Sequence, residues 1–220
     1  MKAFAIQDIK SAVTKKGYKY TSSNKPYDPF IFGIRNKDIT NVDHFNDIIG
    51  MIFFDDKGVE QIYQFQATTK PGLDYLKNHY GNHKDRTGIL CEGQYLQALV
   101  SRYPVVGKFP ATPTDNKFMH QNIMYALGQM GGAIRYYQDY VLDGKISLDP
   151  KTITQGYVGC NIHSTKAGYH TDSVWNWSAL CQVILDYNLF ETEFMVVIEK
   201  AWILRKEWMF SYTLFNEIDF

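Results

Sequence analysis

Apolar positions recur along the chain first at a helical period and then at a period of two. Phe4, Ile6, Ile9 and Val13 fall at near-helical spacing and Gly17 follows as a stop, which predicts a short helix within residues 4–16. The Ser-, Asn- and Pro-rich stretch 21–29 reads as loop. From residue 30 the pattern changes to strands. Residues 30–36 form a short apolar run, and 47–56 with 59–69 read as a hairpin turning near Lys57-Gly58. In its second strand Val59, Gln61, Tyr63 and Phe65 face one way and Glu60, Ile62, Gln64 and Gln66 the other. Pro71-Gly72 ends that strand, because proline cannot continue a central strand.

Residues 88–100 predict one or two strands, 131–143 resume β-type composition, and Asp143-Gly144 marks a turn. In 157–164, Val158, Cys160 and Ile162 point to one face, and Tyr157, Asn161 and His163 to the other. Residues 165–172 are a polar loop, and 174–185 read as a further strand with Cys181 in its middle. Phe194, Val197, Ile198, Ala201 and Leu204 predict a helix over 191–206, and 210–215 closes the chain as a strand. Residues 101–130 carry no readable period, and neither an internal repeat nor a domain linker is visible.

The expected class is therefore mainly β (α+β), in one domain. Composition agrees: 16 Tyr, 14 Phe and 4 Trp suit a pleated, half-buried surface. The 23 basic residues balance the 23 acidic ones without a basic stripe, which argues against a nucleic-acid partner. No run reaches membrane-spanning length, and the N-terminus has no apolar core of a secretory signal. The cysteines, Cys91, Cys160 and Cys181, show neither paired nor metal-type spacing. The expectation is a chain made in a reducing cytoplasm, with no metal, no cofactor and no membrane partner.

Thiol catalysis needs a thiolate, a base to form it and donors for the developing oxyanion. Strand parity turns Cys160 away from His163, so the partner for that imidazole is Cys181, 18 residues on and across the polar loop. By composition and period alone, a Cys in an apolar strand is ordinary core and a His is a satisfied polar group.

What singles the pair out is a resemblance. Ile162-His163-Ser164, followed by Ser178-Ala179-Leu180-Cys181, resembles the active-site signature of the L,D-transpeptidase (YkuD-like) family: a His, a loop, then Ser-His-Gly-Cys. Trp177-Ser178-Ala179-Leu180-Cys181-Gln182-Val183 is similar to a phage-associated branch reading Trp-Ser-Ala-Gly-Cys-Gln-Val. Gly33-Ile34-Arg35, Phe45-Asn46-Asp47, Thr68-Thr69-Lys70-Pro71-Gly72 and Gly93-Gln94-Tyr95 follow that branch in order, so the resemblance spans residues 30–190.

The resemblance implies an L,D-transpeptidase-like β-sandwich or barrel in a single domain, 1–220. Residues 1–29 would be an N-terminal helix and loop, 30–190 the catalytic β core, and 191–220 a C-terminal helix and strand. It also implies a peptidoglycan stem peptide as substrate. Cys181 would attack the peptide carbonyl, His163 would take the thiol proton, and the Ser164 carbonyl would orient the imidazole. The N–H groups of Leu180 and Cys181 would bind the oxyanion. A phage cell-wall hydrolase, virion-associated and in contact with other virion proteins, is the reading that follows.

The chain departs from the family signature at Leu180, where the family has Gly, and at Ala179, where it has His in the main branch. If position 180 demanded a positive φ, Leu would cost of the order of 1 kcal/mol. That departure favours a second reading, a phage structural or adsorption protein that keeps the fold without the chemistry. A cysteine peptidase acting on protein is a third.

Ser178, Trp177, Trp175, His120 and His170 are the candidate substrate-binding residues. The one-residue gap puts Trp175 and Trp177 on one face with Cys181 if the strand is regular, while the segment around His120 resembles a Gly-Leu-His segment of the same branch and His170 lies in the loop between His163 and Cys181. Asp139 and Asp143 offer too few carboxylates for a calcium loop and read as a turn.

Overall fold

A computed structural model describes residues 3–78, 87–101, 126–170 and 172–220. The N-terminal helical pattern forms α1 (Ile6–Lys15), which buries Ile9, Ala12 and Val13. The Asp8 carboxylate reaches back to accept from the Ala5 N–H at 2.9 Å, satisfying one donor of the first turn. Strand β1 (Phe30–Arg35) follows, then the hairpin β2 (Asp47–Phe54) and β3 (Glu60–Thr68), in register from Asp47↔Ala67 to Phe54↔Glu60. Its turn is fixed by the Asp55 carboxylate, which accepts from the N–H groups of Lys57 and Val59, and by Gly58 at φ +73°.

The remaining strands are β4 (Thr87–Leu90), β5 (Gly93–Ser101), β6 (Leu127–Gln129), β7 (Ile134–Asp139), β8 (Thr154–Gly156), β9 (Ile162–Ser164), β10 (Gln182–Ile184) and β11 (Met209–Asn216). Helix α2 (Leu73–Lys77) sits after the hairpin. Before β11 come α3 (Tyr187–Leu189), a π-helical turn (Phe190–Phe194) and α4 (Met195–Arg205). Strands β1-β11-β5-β6-β9-β10-β3-β2 close a mixed barrel in which β1–β11 and β9–β10 are parallel, and β4-β7-β8 form a second, small sheet. The mainly β class expected from the sequence is the class the structure has.

Strand parity sorts the core. On β1, Phe30, Phe32 and Ile34 turn to α1, where Phe4, Ile9, Val13 and Phe215 complete one apolar cluster. Ile31 turns the other way, into the cluster that unites Ile49, Phe65, Leu99, Ile162, Ile184 and Leu214 with Phe194 and Ile198 of the C-terminal helical segment. Gly33 is required on that face, because a Cβ there would lie 2.0 Å from the Tyr212 hydroxyl. A third cluster, Phe45, Val174, Trp177, Cys181 and Val183, covers the opposite face of β10.

Charges are buried where β1, β2 and β3 converge. The fully buried Arg35 guanidinium donates to the Thr69 hydroxyl (3.1 Å), the Thr69 and Leu90 carbonyls (2.9 and 2.8 Å) and Glu92 (2.9 Å). Asp47 accepts from the Thr69 N–H (2.7 Å) and hydroxyl (2.8 Å) and faces Lys70 Nζ at 3.3 Å. Lys70 also donates to Asn46 Oδ1 at 2.7 Å. Such a network adds little net stability, but losing one partner strands a buried charge at a cost of about 3–5 kcal/mol.

Several expected elements are corrected. Residues 174–185 do not form one strand: turns occupy most of 173–180, and only Gln182–Ile184 is extended in the sheet. Residues 157–164 are likewise broken, because Gly159 adopts φ +74° and leaves β9 only Ile162–Ser164. The C-terminal helical segment begins at Tyr187, earlier than its apolar period suggests. Of the unreadable stretch 101–130, residues 102–125 lie outside those described, and 127–129 form β6.

Candidate active site

His163 is the middle residue of β9 and pairs in parallel with Val183 of β10. Directly paired residues project to the same face, and Cys181 shares the parity of Val183, since the Gln182 N–H donates to the Asn161 carbonyl (2.8 Å) and keeps the chain in register. His163 and Cys181 are therefore diagonal neighbours on one face. With strands about 4.8 Å apart and a rise of about 3.3 Å per residue, that geometry separates the Cα atoms by roughly 8 Å. The opposite face carries Cys160, Ile162, Leu180 and Ile184, all in the barrel cluster. Although β9 is shorter than expected, Gly159 does not disturb the parity that separates the two cysteines.

His163 is buried, with Nδ1 2.8 Å from the Ser164 carbonyl oxygen. A carbonyl only accepts, so Nδ1 carries the proton in the neutral ring and Nε2 carries the lone pair. Cys181 is buried too, its Sγ 3.7 Å from the Gly159 carbonyl oxygen. Burial pushes the Cys160 thiol well above its ordinary pKa and raises that of Cys91. Cys160 donates to the Leu180 carbonyl at 3.4 Å, an inert core position.

The backbone before Cys181 is tied down through its carbonyls. Ser178 O accepts from the Gly72 N–H (2.9 Å) and Ala179 O from the Gly88 N–H (3.2 Å). Leu180 O accepts from the interior Gln182 Nε2 (3.0 Å) and from Cys160. No described peptide bond is cis, and in a trans peptide the N–H points opposite the preceding carbonyl. The Cys181 N–H is thus directed away from the barrel interior, and the Leu180 N–H away from β4. The Cys181 N–H orientation suits a donor to an oxyanion on the outer side of the chain.

Leu180 does not have a positive φ; the left-handed residue of this loop is Trp175, at φ +42°. The strain that a glycine-to-leucine exchange would bring at 180 is absent, and strain of about 1–3 kcal/mol sits at 175 instead. The Leu180 side chain packs over Gly88, whose absent Cβ would otherwise lie 3.0 Å from it. Gly72 is needed for a similar reason, since a Cβ there would come within 1.9 Å of the Trp175 carbonyl oxygen.

The candidate substrate residues separate. Trp177 is buried beside Cys181 and makes an edge contact with Tyr169, ring centroids 5.2 Å apart. Trp175 is about half exposed and stands outside the cluster that holds Trp177 and Cys181, which corrects the expected shared face. Ser178 is buried and donates its hydroxyl to the Cys181 carbonyl at 2.7 Å, a brace within the loop. His170 is exposed and lines an open cavity of about 420 Å³ with Lys166, Asp172 and Asp186. His120 lies outside the described residues. The Asp139 carboxylate accepts from the Val141 N–H at 3.0 Å, as a turn requires, and no group of three or more His, Cys, Asp or Glu suited to a metal occurs among the described residues.

Sequence reasoning missed two residues that hold this site. Gln129 Oε1 accepts from the N–H groups of Val158, Gly159 and Cys160 and so fixes the turn entering β9. Asp43 binds the loop leading to Cys181. Neither lies in a motif, and only the tertiary fold brings either to the loop it holds.

Compared with protein-family models, with curated proteins and with solved structures, the chain matched none.

Proposed function

We propose that the protein is a cysteine-dependent, peptidoglycan-directed acyl-transfer enzyme, a phage cell-wall peptide hydrolase on an L,D-transpeptidase-like barrel. The observation that carries this reading is the parity that sets Cys181, the residue before β10, on the same side as His163 of β9, with Nδ1 committed to the Ser164 carbonyl. Nε2 takes the thiol proton, and the thiolate attacks a peptide carbonyl of the stem. The N–H groups of Leu180 and Cys181 receive the oxyanion. As the tetrahedral intermediate collapses, imidazolium returns the proton to the leaving amine and a thioester remains on Cys181. Water, deprotonated by the same imidazole, then releases the acid. The phage-like motif from Trp177 to Val183 supplies the substrate class and the placement in a virion, after synthesis in the host cytoplasm.

The test is incubation of wild type and Cys181→Ala with purified muropeptides, with products read by mass. Wild type is expected to shorten stem peptides and the variant to leave them intact; identical profiles reject the assignment. The second reading, a virion structural protein without chemistry, is favoured by the burial of Cys181. No helix among the described residues is long and apolar enough to cross a membrane.

A further inference from the structure

Asp43 lies between β1 and β2, yet it reaches the loop that carries Cys181 at several points. Its Oδ1 accepts from the Trp175 N–H at 2.6 Å and from the Leu73 N–H at 3.2 Å. Its Oδ2 accepts from the Ser173 hydroxyl, and its backbone carbonyl accepts from the Val174 N–H at 3.1 Å. His44 adds a β-bridge to Ser173. One residue thus joins the β1–β2 connection, the start of α2 and the turn at 173–175.

That turn is where the chain is strained, because Trp175 is left-handed without being glycine. Such a conformation persists only where the surroundings over-determine it. From the clamp to the thiol, each step is braced. The Trp177 N–H donates to the Val174 carbonyl (2.9 Å), Ser178 O accepts from Gly72, and the Ser178 hydroxyl donates to the Cys181 carbonyl. Little slack remains between Asp43 and Cys181.

We infer that Asp43 is a positioning residue of the site: by holding the turn at Trp175, it sets Cys181 against His163. This role rests on the reading of that pair as reactive. Asparagine keeps an oxygen that accepts from Trp175 and Leu73, and its amide donates to the Ser173 hydroxyl; alanine removes all the side-chain bonds.

The experiment alkylates the full chain with iodoacetamide across pH and follows each cysteine by peptide mass, with Cys91 and Cys160 as internal references. In wild type, Cys181 is expected to react fastest, with a midpoint below an ordinary thiol's. In Asp43→Ala its rate at neutral pH falls by roughly tenfold or more and its midpoint rises, because misplacing a reacting group by about an ångström has effects of that order. Asp43→Asn retains the wild-type profile. Cys91 and Cys160 stay protected in both variants. If Asp43→Ala exposes all the thiols, Ser173→Ala, which removes one bond of the clamp, decides: slower Cys181 labelling supports the role and unchanged labelling overturns it. A reactive wild type with an unchanged Asp43→Ala overturns the role alone. Wild-type Cys181 as inert as the other thiols overturns the reading of the pair, and this role with it.

Discussion

The hairpin wall of β1 to β3 and the loop from Ser173 to Cys181 lie side by side and are built on different rules. The wall is specified by continuous strand pairing, with eight consecutive β2–β3 pairs in unbroken register. The loop has comparable apolar content but follows no period. Its course is set by Asp43, Gly72 and Gly88, which are distant in sequence. The wall can change many side chains of like kind and remain a wall. The loop depends on single atoms at single places, as expected for a segment that delivers one functional group.

The largest effect is expected inside the wall. Asp47→Ala leaves Lys70 and the Arg35–Thr69 contacts without their carboxylate in a site closed to water. The expected loss is about 3–5 kcal/mol in urea denaturation, with the whole chain unfolding earlier. A loss confined to Cys181 reactivity, with the denaturation midpoint unchanged, would show that the network serves the loop and not the wall.

Gly72→Ala probes the seam between the regions. The added methyl meets the Trp175 carbonyl, which is backbone and has little freedom to retreat. Overpacking of this kind costs about 1–3 kcal/mol. The chain is expected to stay folded while Cys181 alkylation slows and proteolysis near 173–180 quickens. Global unfolding in step with those changes would mean that the loop is as much a part of the framework as the hairpin.

What could be read in the sequence divides along the same line. Strand β3 and helix α1 were legible because their side chains alternate or recur within one element, and β1, β2 and β11 because short apolar runs there are bounded by turn or loop residues. Parity likewise separated Cys160 from Cys181, since it needs only local geometry. The strand expected over 174–185 failed because an apolar run says nothing about whether its carbonyls will find a sheet. Here Ser178 and Ala179 find Gly72 and Gly88 instead. Short β6 and β8 carry too few residues to show a period. The fragments Gly33–Arg35, Phe45–Asp47 and Thr68–Gly72, noticed only for their order, converge on the buried Arg35–Asp47–Lys70 network. That convergence has a physical reason, whatever the chain's ancestry, because buried charges must sit together. Asp43 was illegible, as a single carboxylate in a polar loop looks like any solvated one.

The smallest effect expected bears on the two cysteines where wall and loop meet. Cys160 has its pKa raised by burial, and Tyr212, whose hydroxyl donates to Gln182 Oε1 in the same interior, is raised for the same cause. A group whose folded pKa lies above its unfolded value adds stability that is complete below the unfolded pKa and is lost as pH rises. For a thiol the loss begins near pH ~8.5 and proceeds at about 1.4 kcal/mol per pH unit until the folded pKa is reached. Cys160→Ala removes that contribution, so its loss of stability between pH 7.5 and 9.5 should be smaller than wild type's by about 1.4 kcal/mol. Tyrosine adds its own loss only above about pH 10, outside the interval. Urea denaturation at the two pH values measures the difference. Equal losses in both proteins would mean that Cys160 ionises in the folded chain. The inner face of β9 would then be open to water, and parity would no longer distinguish the inert thiol from the one beside His163.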